Sequence, residues 1–339
     1  MTDSIYASFV ARGLEKNEIF NLTNKNNRDD CFQPFFLLHQ QLKNNGIELN
    51  TVDICKDYSL YFELHMDVQK ETTARPLYLL MLETIQICPA NGTKTNLNKY
   101  RKIFTWNDDL VDGNRFIKIN FPNPFQTSQV DGFPIRNRFC CLISGNKTLS
   151  VIDERDLYIE RVKAIRWFEN NAPQDFDLYG VDWHIPAWGR ANVGKWTRRI
   201  FKLTSKLFKM HPFPSYRGKV EHKRDVLTKT RFAICYENVR DLPGYITEKI
   251  FDCFFSGCVP VYWGASNITQ YIPADCFIDR RQFRDTEEVY VFLKAMTEQE
   301  FIGYQKRIAA FLQSDAAYPF SAEFFAETIT KEIVQNLGV

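Results

Sequence analysis

RFAICYENVRDLPGYITEKIFDCFFSGCVPVYWG, residues 231–264, reads as one strand–loop–helix–strand unit with its polar chemistry gathered at one end. Arg231 to Tyr236 is short and mostly apolar, with aromatic and branched residues, as a strand buried on both faces is. Glu237 to Gly244 is a polar loop broken by Pro243 and Gly244. From Ile246 to Ser256 apolar residues recur at Ile246, Ile250, Phe251, Phe254 and Phe255, which is helical spacing, and Gly257 suits the stop. Val259 to Trp263 is a second buried strand. A crossover of this kind implies a parallel sheet, and parallel α/β sheets bind ligands at the carboxyl ends of their strands. Glu237, Asn238, Tyr245, Glu248 and Lys249 all fall at that end.

Tyr245, Glu248 and Lys249 stand at i, i+3 and i+4, so the spacing puts them on one face of the helix's first turn. A helix N-terminus offers unpaired N–H groups and the positive end of the dipole. A lysine there is disfavoured unless an anion sits nearby. Two readings stand side by side: an anion site, or a helix start with Glu248 complementing the dipole and Lys249 solvated.

Outside this unit, the chain's length and composition agree with two domains. Its 339 residues fit about two domains. With 45% hydrophobic and 15% aromatic residues there is material for two cores. A net charge of +2 speaks against a bulk nucleic-acid binder. Residues 190–209 form a basic amphipathic stretch, readable as peripheral contact with an anionic membrane face or as a solvated helix face. The N-terminal residues lack a secretory pattern, and no apolar run approaches the roughly 20 residues that cross a bilayer. The expectation is a cytoplasmic protein, at most peripheral at the inner membrane. The nine cysteines, an odd number without paired zinc-type spacing, read as reduced thiols.

Along the first half, Ser4–Val10, Ile47–Val52, Pro76–Leu82 and Arg138–Ser144 read as strands, Ser59–Glu63 as a strand or a short helix start, and Phe35–Lys43 as a helix. The composition changes at Ser144–Lys147, which puts the domain boundary between about 145 and 155, giving domains 1–150 and 151–339. Beyond it, Asp156–Asn170, Val220–Lys229, Thr286–Gln313 and Ala322–Gln335 read as helices. There is no G-x-x-x-x-G-K-[ST] phosphate loop and no G-x-G-x-x-G fingerprint. Asp175-Phe176-Asp177 is a D-x-D of the kind that holds Mg²⁺ or Mn²⁺ in metal-dependent transferases.

Tyr236-Glu237-Asn238, then Tyr245-Ile246-Thr247-Glu248-Lys249, then Gly257, Pro260 and Gly264 resemble the donor-binding signature of the α-1,3/α-1,4-fucosyltransferases, glycosyltransferase family 10, in its bacterial type. The resemblance implies an α/β fold in the GT-B arrangement, two Rossmann-like domains facing across a cleft, with the N-terminal one reading the acceptor and the C-terminal one the donor. It implies inverting transfer of fucose from GDP-fucose to a hydroxyl of a glycan or glycolipid acceptor. In such proteins the last helix often crosses back to the first domain. The resemblance also makes Asp175-Phe176-Asp177 a strand entry, so no cofactor or essential metal is expected.

Inverting transfer needs a carboxylate to take the proton from the attacking hydroxyl. Glu83 is the candidate: it ends the apolar strand Leu77–Leu82, where a carboxylate projects from the sheet's carboxyl edge. Leu82-Glu83 followed by Pro89 and Asn91 also fits the family's pattern around its base. The bland alternative is a strand-terminal glutamate in a structural hydrogen bond; Asp108 and Asp109 stand next in line. For the diphosphate leaving group Lys249 is the first counter-charge. Arg217, in Tyr216-Arg217-Gly218-Lys219, matches a basic position upstream of the Glu-Asn strand, and Lys223 reads better as solvated. Glu248 would accept from ribose or sugar hydroxyls, while Asn238, Tyr245 and Thr247 would line the donor site. Tyr236, Tyr245 and Tyr262 are placed to stack on guanine or to be core. The alternatives are a transferase using another GDP-sugar and a non-catalytic carbohydrate-binding relative.

Overall fold

The computed structural model describes residues 5–11, 13–54, 61–69, 75–149, 151–187 and 212–338. The basic stretch 190–209 lies outside the described residues. The chain divides into two compact units. Unit 1 comprises Met1–Phe125, Pro243–Thr247 and Ala317–Val339; unit 2 comprises Gln126–Leu242 and Glu248–Ala316.

Unit 1 is built on a six-stranded parallel sheet in the order β2-β1-β3-β4-β5-β6. Its strands are β1 (Ile5–Val10), β2 (Ile47–Thr51), β3 (Phe62–Met66), β4 (Leu77–Met81), β5 (Lys102–Thr105) and β6 (Phe116–Lys118). β4 is buried throughout and its alternation divides two cores. Tyr78 and Leu80 face the cluster formed with helices Gln33–Asn44 and Ala322–Leu337, and Leu77, Leu79 and Met81 face a smaller one with Leu97 and Tyr100. Each such side chain contributes about 1.5–3 kcal/mol by leaving water. The C-terminal helix is tied to this unit by Phe325 edge-on to Phe35, by Tyr78 Oη donating to Asn336 at 2.6 Å and by Lys102 paired with Glu332 at 3.0 Å.

Unit 2 has a second six-stranded parallel sheet, in the order β12-β11-β10-β7-β8-β9. Its strands are β7 (Arg138–Ile143), β8 (Phe176–Tyr179), β9 (Tyr216–Gly218), β10 (Thr230–Tyr236), β11 (Val259–Trp263) and β12 (Ile278–Asp279). Phe232, Ile234, Tyr236, Val259 and Val261 share a core with Leu157, Ile165 and Phe168 of helix Leu157–Asn171 and with Val289 and Leu293 of helix Thr286–Ala295. Among the described residues no helix is long and apolar enough to cross a membrane.

Several expectations change here. The units part at Phe125/Gln126, not between 145 and 155, because β7 pairs with β8 and β10 at the centre of the second sheet. The change of composition at 144–147 is therefore a loop inside unit 2. The single helix expected over 286–313 is two, Thr286–Ala295 and Glu298–Leu312. Met296 is extended, and Thr297 with Glu300 forms a capping box that starts the second helix afresh. Only Arg224–Leu227 is helical within 220–229.

Candidate functional site

The carboxyl end of the unit 2 sheet is built around Glu237. β10 and β11 run level, Tyr236 opposite Trp263, and the Glu237 N–H donates to the Trp263 carbonyl at 2.8 Å. The Glu237 side chain is fully buried, and its Oε2 accepts from Lys249 Nζ at 2.9 Å. Gly264 leaves it room: a Cβ there would lie 2.5 Å from Glu237 Cγ and 2.3 Å from Tyr262 Oη. Burial pulls the Lys249 ammonium down, but the carboxylates of Glu237 and Glu248 outweigh it and hold it above the ordinary lysine value. Lys249 is thus a charged lysine at a helix N-terminus. The solvated-lysine reading is overturned by its partner.

The helix itself starts at Glu248 and runs to Phe255, two residues later than the apolar spacing implied. Gly244 has φ +79°, and Ile246 donates back to the Gly244 carbonyl, so the chain turns before it coils. Tyr245 therefore stands before the helix and not on its first turn. Its ring is buried in unit 1, 4.7 Å from Trp106 and 5.8 Å from Phe121. Thr247, also buried, ends this segment. Tyr236 and Tyr262 are buried too, so all three tyrosines take the core alternative. Glu248 is the half-exposed member of the group, its Oε1 3.8 Å from both Lys249 and Lys223. Lys223 is paired with Asp252 at 2.6 Å, not solvated.

Asn238 follows Glu237. Its carbonyl accepts from the Leu157 N–H at 3.1 Å, so the start of helix Leu157–Asn171 abuts this loop. Its Oδ1 accepts from Arg161 Nη2 at 3.1 Å, and the same Nη2 donates to the Tyr236 carbonyl at 2.6 Å. Arg161 is buried, its guanidinium over the Tyr158 ring, and its charge acts on Lys249. Sequence reasoning missed it. The signal was an arginine at a position where the helical period of Leu157, Tyr158, Ala164, Ile165 and Phe168 calls for an apolar residue.

Arg217 is not brought to this place. It lies on the edge strand β9, three strands from β10, and its Nε donates to Asp177 Oδ1 at 2.6 Å. Asp177 also binds Arg138, while Asp175 accepts from Tyr290 at 2.7 Å and lies 3.2 Å from Lys294. Both carboxylates of the D-x-D are therefore committed to cations or a phenol. Trp183 is core, with its indole N–H on the Ser144 carbonyl.

In unit 1 the carboxyl end of β4 carries Glu83 in the turn that follows Leu82. The Glu83 N–H donates to Asp67 Oδ1 at 2.9 Å and its carbonyl accepts from Asn91 Nδ2 at 2.9 Å. Trp106, just past β5, donates its indole N–H to the Leu82 carbonyl at 2.8 Å. Asp108 is paired with Lys118 at 2.6 Å, and Gly244 lies against both: a Cβ there would meet Trp106 O at 2.2 Å and Lys118 Nζ at 2.8 Å. Burial lowers the Lys118 ammonium, with Asp108 opposing. Asp109 is exposed.

Residues 187–307 match the profile of Glycosyltransferase family 10 (fucosyltransferase) C-term. The likeness to glycosyltransferase family 10 is confined to this segment, about a third of the chain. The α-(1,3)-fucosyltransferase FucT of Helicobacter pylori is 32% identical over 75 residues, 22% of this chain and 16% of that protein. The α-(1,4)-fucosyltransferase of Arabidopsis thaliana is 32% identical over 76 residues, 22% of this chain and 19% of the relative. Human 4-galactosyl-N-acetylglucosaminide 3-α-L-fucosyltransferase 9 is 32% identical over 119 residues, 34% of this chain and 32% of the relative. The chain thus spans less than a third of the length of each of these curated relatives. A crystal structure of an α1,3-fucosyltransferase with GDP covers 98% of this chain and 92% of its own, with TM-score 0.56 and 12% identity. Anabaena HepE with UDP and glucose covers 98% and 100%, with TM-score 0.55 and 11% identity. At these identities the likeness is one of fold: two parallel-sheet units of the GT-B type.

Proposed function

We propose that this chain is a family 10 enzyme, an inverting transferase that moves fucose from GDP-fucose to a hydroxyl of a glycan acceptor. The observation that carries the reading is Lys249, held charged by the buried Glu237 at the start of a helix, inside the segment that matches the family. A cation and a helix N-terminus together suit a diphosphate leaving group. Glu248, half-exposed beside Lys249, accepts from sugar or ribose hydroxyls, and Asn238, held by Arg161, lines the donor site of the same unit. Glu83 acts as general base on the acceptor hydroxyl, from the strand-end turn of unit 1. Arg217 has no part, because Asp177 holds it at the far edge of the sheet.

The test is a panel of GDP-, UDP- and CMP-sugars read by nucleotide release, with and without a mixed glycan acceptor. GDP release from GDP-fucose that rises with acceptor, and little release from the others, is the expected result. Preference for a different GDP-sugar would replace fucose in the proposal. Release from no donor would leave a glycan-binding relative without catalysis.

A further inference from the structure

One carboxylate oxygen organises the turn that carries Glu83. Asp67 Oδ1 accepts from the Leu82 N–H at 3.0 Å, the Glu83 N–H at 2.9 Å and Asn91 Nδ2 at 2.9 Å. Asp67 follows the end of β3 in the left-handed region, φ 55°, which aspartate tolerates better than most residues. Its own N–H is fixed on the Leu80 carbonyl of the neighbouring strand. Asn91 is buried, and every hydrogen-bonding atom of its amide is used: Nδ2 donates to Asp67 and to the Glu83 carbonyl, and Oδ1 accepts from the Val68 N–H at 2.9 Å. The turn is held from both sides, its N–H groups by Asp67 and its carbonyl by Asn91. Desolvation raises the Asp67 carboxyl against the opposing pull of the Glu83, Asn91 and Leu82 donors.

We propose that Asp67 and Asn91 are positioning residues for Glu83, locking its backbone so that the carboxylate keeps one place relative to the acceptor hydroxyl. The inference rests on the reading of Glu83 as base. An ordinary turn after a strand is satisfied by water and by its own backbone; here a charged acceptor is spent on two consecutive N–H groups and a buried amide on the carbonyl. Charge-assisted bonds of this kind are about twice as strong as neutral ones. A misplacement of about 1 Å at a reacting group can cost about 10²-fold in rate.

The test compares Asp67→Ala, Asp67→Asn and Glu83→Gln in the full chain, measuring kcat, KM for donor and acceptor, GDP affinity by calorimetry and thermal midpoint. Asp67→Ala is expected to lower kcat about 10- to 100-fold with donor KM and GDP affinity within about threefold. Asp67→Asn, which keeps the oxygen and loses the charge, is expected to recover most of that loss. A kcat unchanged in Asp67→Ala, a loss that tracks folded fraction or GDP affinity, or an asparagine variant no better than alanine would overturn the positioning role. Near-wild-type turnover in Glu83→Gln would instead remove the base reading, and this inference with it. Should Asp67→Ala fail to fold, Asn91→Ala, which leaves the Asp67 bonds to Leu82 and Glu83 in place, is judged by the same kcat-against-KM split.

Discussion

At the end of β4 the bonds go to the backbone of Glu83, through Asp67 and Asn91; at the end of β10 they go to the charged head of Lys249, through Glu237. Both turns sit at carboxyl ends of parallel strands, where an open α/β sheet keeps its chemistry. A general base has to change protonation during turnover, so its position is held through the main chain. A counter-charge has to stay charged, so its partner is a buried carboxylate that stabilises the ammonium itself. The two turns should therefore fail differently when altered: the first in rate, the second in affinity and stability.

The largest effect is expected at Glu83. Glu83→Gln keeps the size and the backbone bonds to Asp67 and Asn91 and removes only the base. Turnover should fall by about 10² to 10⁴ while GDP affinity stays within a few-fold. Retention of more than about a tenth of wild-type turnover would move the base elsewhere, and Asp108 is weakened as a successor by its pairing with Lys118.

Lys249→Ala comes next and should act in the other way. It leaves Glu237 buried with its cation gone, a change that costs about 3–5 kcal/mol where a buried pair is broken from one side. GDP binding by calorimetry should weaken, and the thermal midpoint should drop with it. Glu237→Gln is milder, since the amide still fits beside Gly264. The sign with pH follows from the raised Lys249: the pair's stability is complete below the ordinary lysine value and is lost progressively as pH rises from there through the folded-state value, which lies higher. The stability gap between wild type and Lys249→Ala should stay constant from about pH 7 to about pH 10. A gap that closes across neutral pH would mean that another group carries it.

Glu248→Ala separates the half-exposed carboxylate from the buried one. With side-chain exposure near half, its removal should change stability by less than about 0.5 kcal/mol. A several-fold loss of donor affinity is expected from the missing acceptor of hydroxyl bonds. An effect on melting as large as that of Lys249→Ala would show that the two turns do not divide their roles as described.

How far these turns could be read from the sequence depended on period and burial. β4, β10 and β11 were legible because apolar runs flanked by Glu83, Glu237 and Gly264 have no solvated alternative. The short edge strand β6 was not: Phe116–Lys118 is three residues with a lysine, too brief for alternation to register. The seat of Tyr245 was misread because i, i+4 spacing says which residues share a face only if the helix has begun, and the positive φ of Gly244 delays it. Arg217 was drawn in by its position in a motif, yet partnering across β8 and β9 is a tertiary fact that no spacing encodes. Asp67 left no signal at all, since its role is a set of bonds to backbone groups 15 and more residues away.

The smallest effect is expected where the comparison has no site. Asp175 and Asp177 lie near the starts of the β8 and β9 ladder, and the cations Lys294, Arg138 and Arg217 already face them. Recruiting Mg²⁺ there would require breaking these ion pairs and displacing the Tyr290 hydroxyl from Asp175. Arg217→Ala should leave GDP affinity within about twofold, because an exposed ion pair is worth about 0–1 kcal/mol. Turnover should survive exhaustive chelation with at most a few-fold loss, and Asp175→Asn with Asp177→Asn should behave the same way. If EDTA abolishes transfer, Mn²⁺ or Mg²⁺ restores it and the asparagine variants reproduce the loss, then the diphosphate is neutralised at the edge of the unit 2 sheet. In that case Lys249 would be a structural partner of Glu237 and no more.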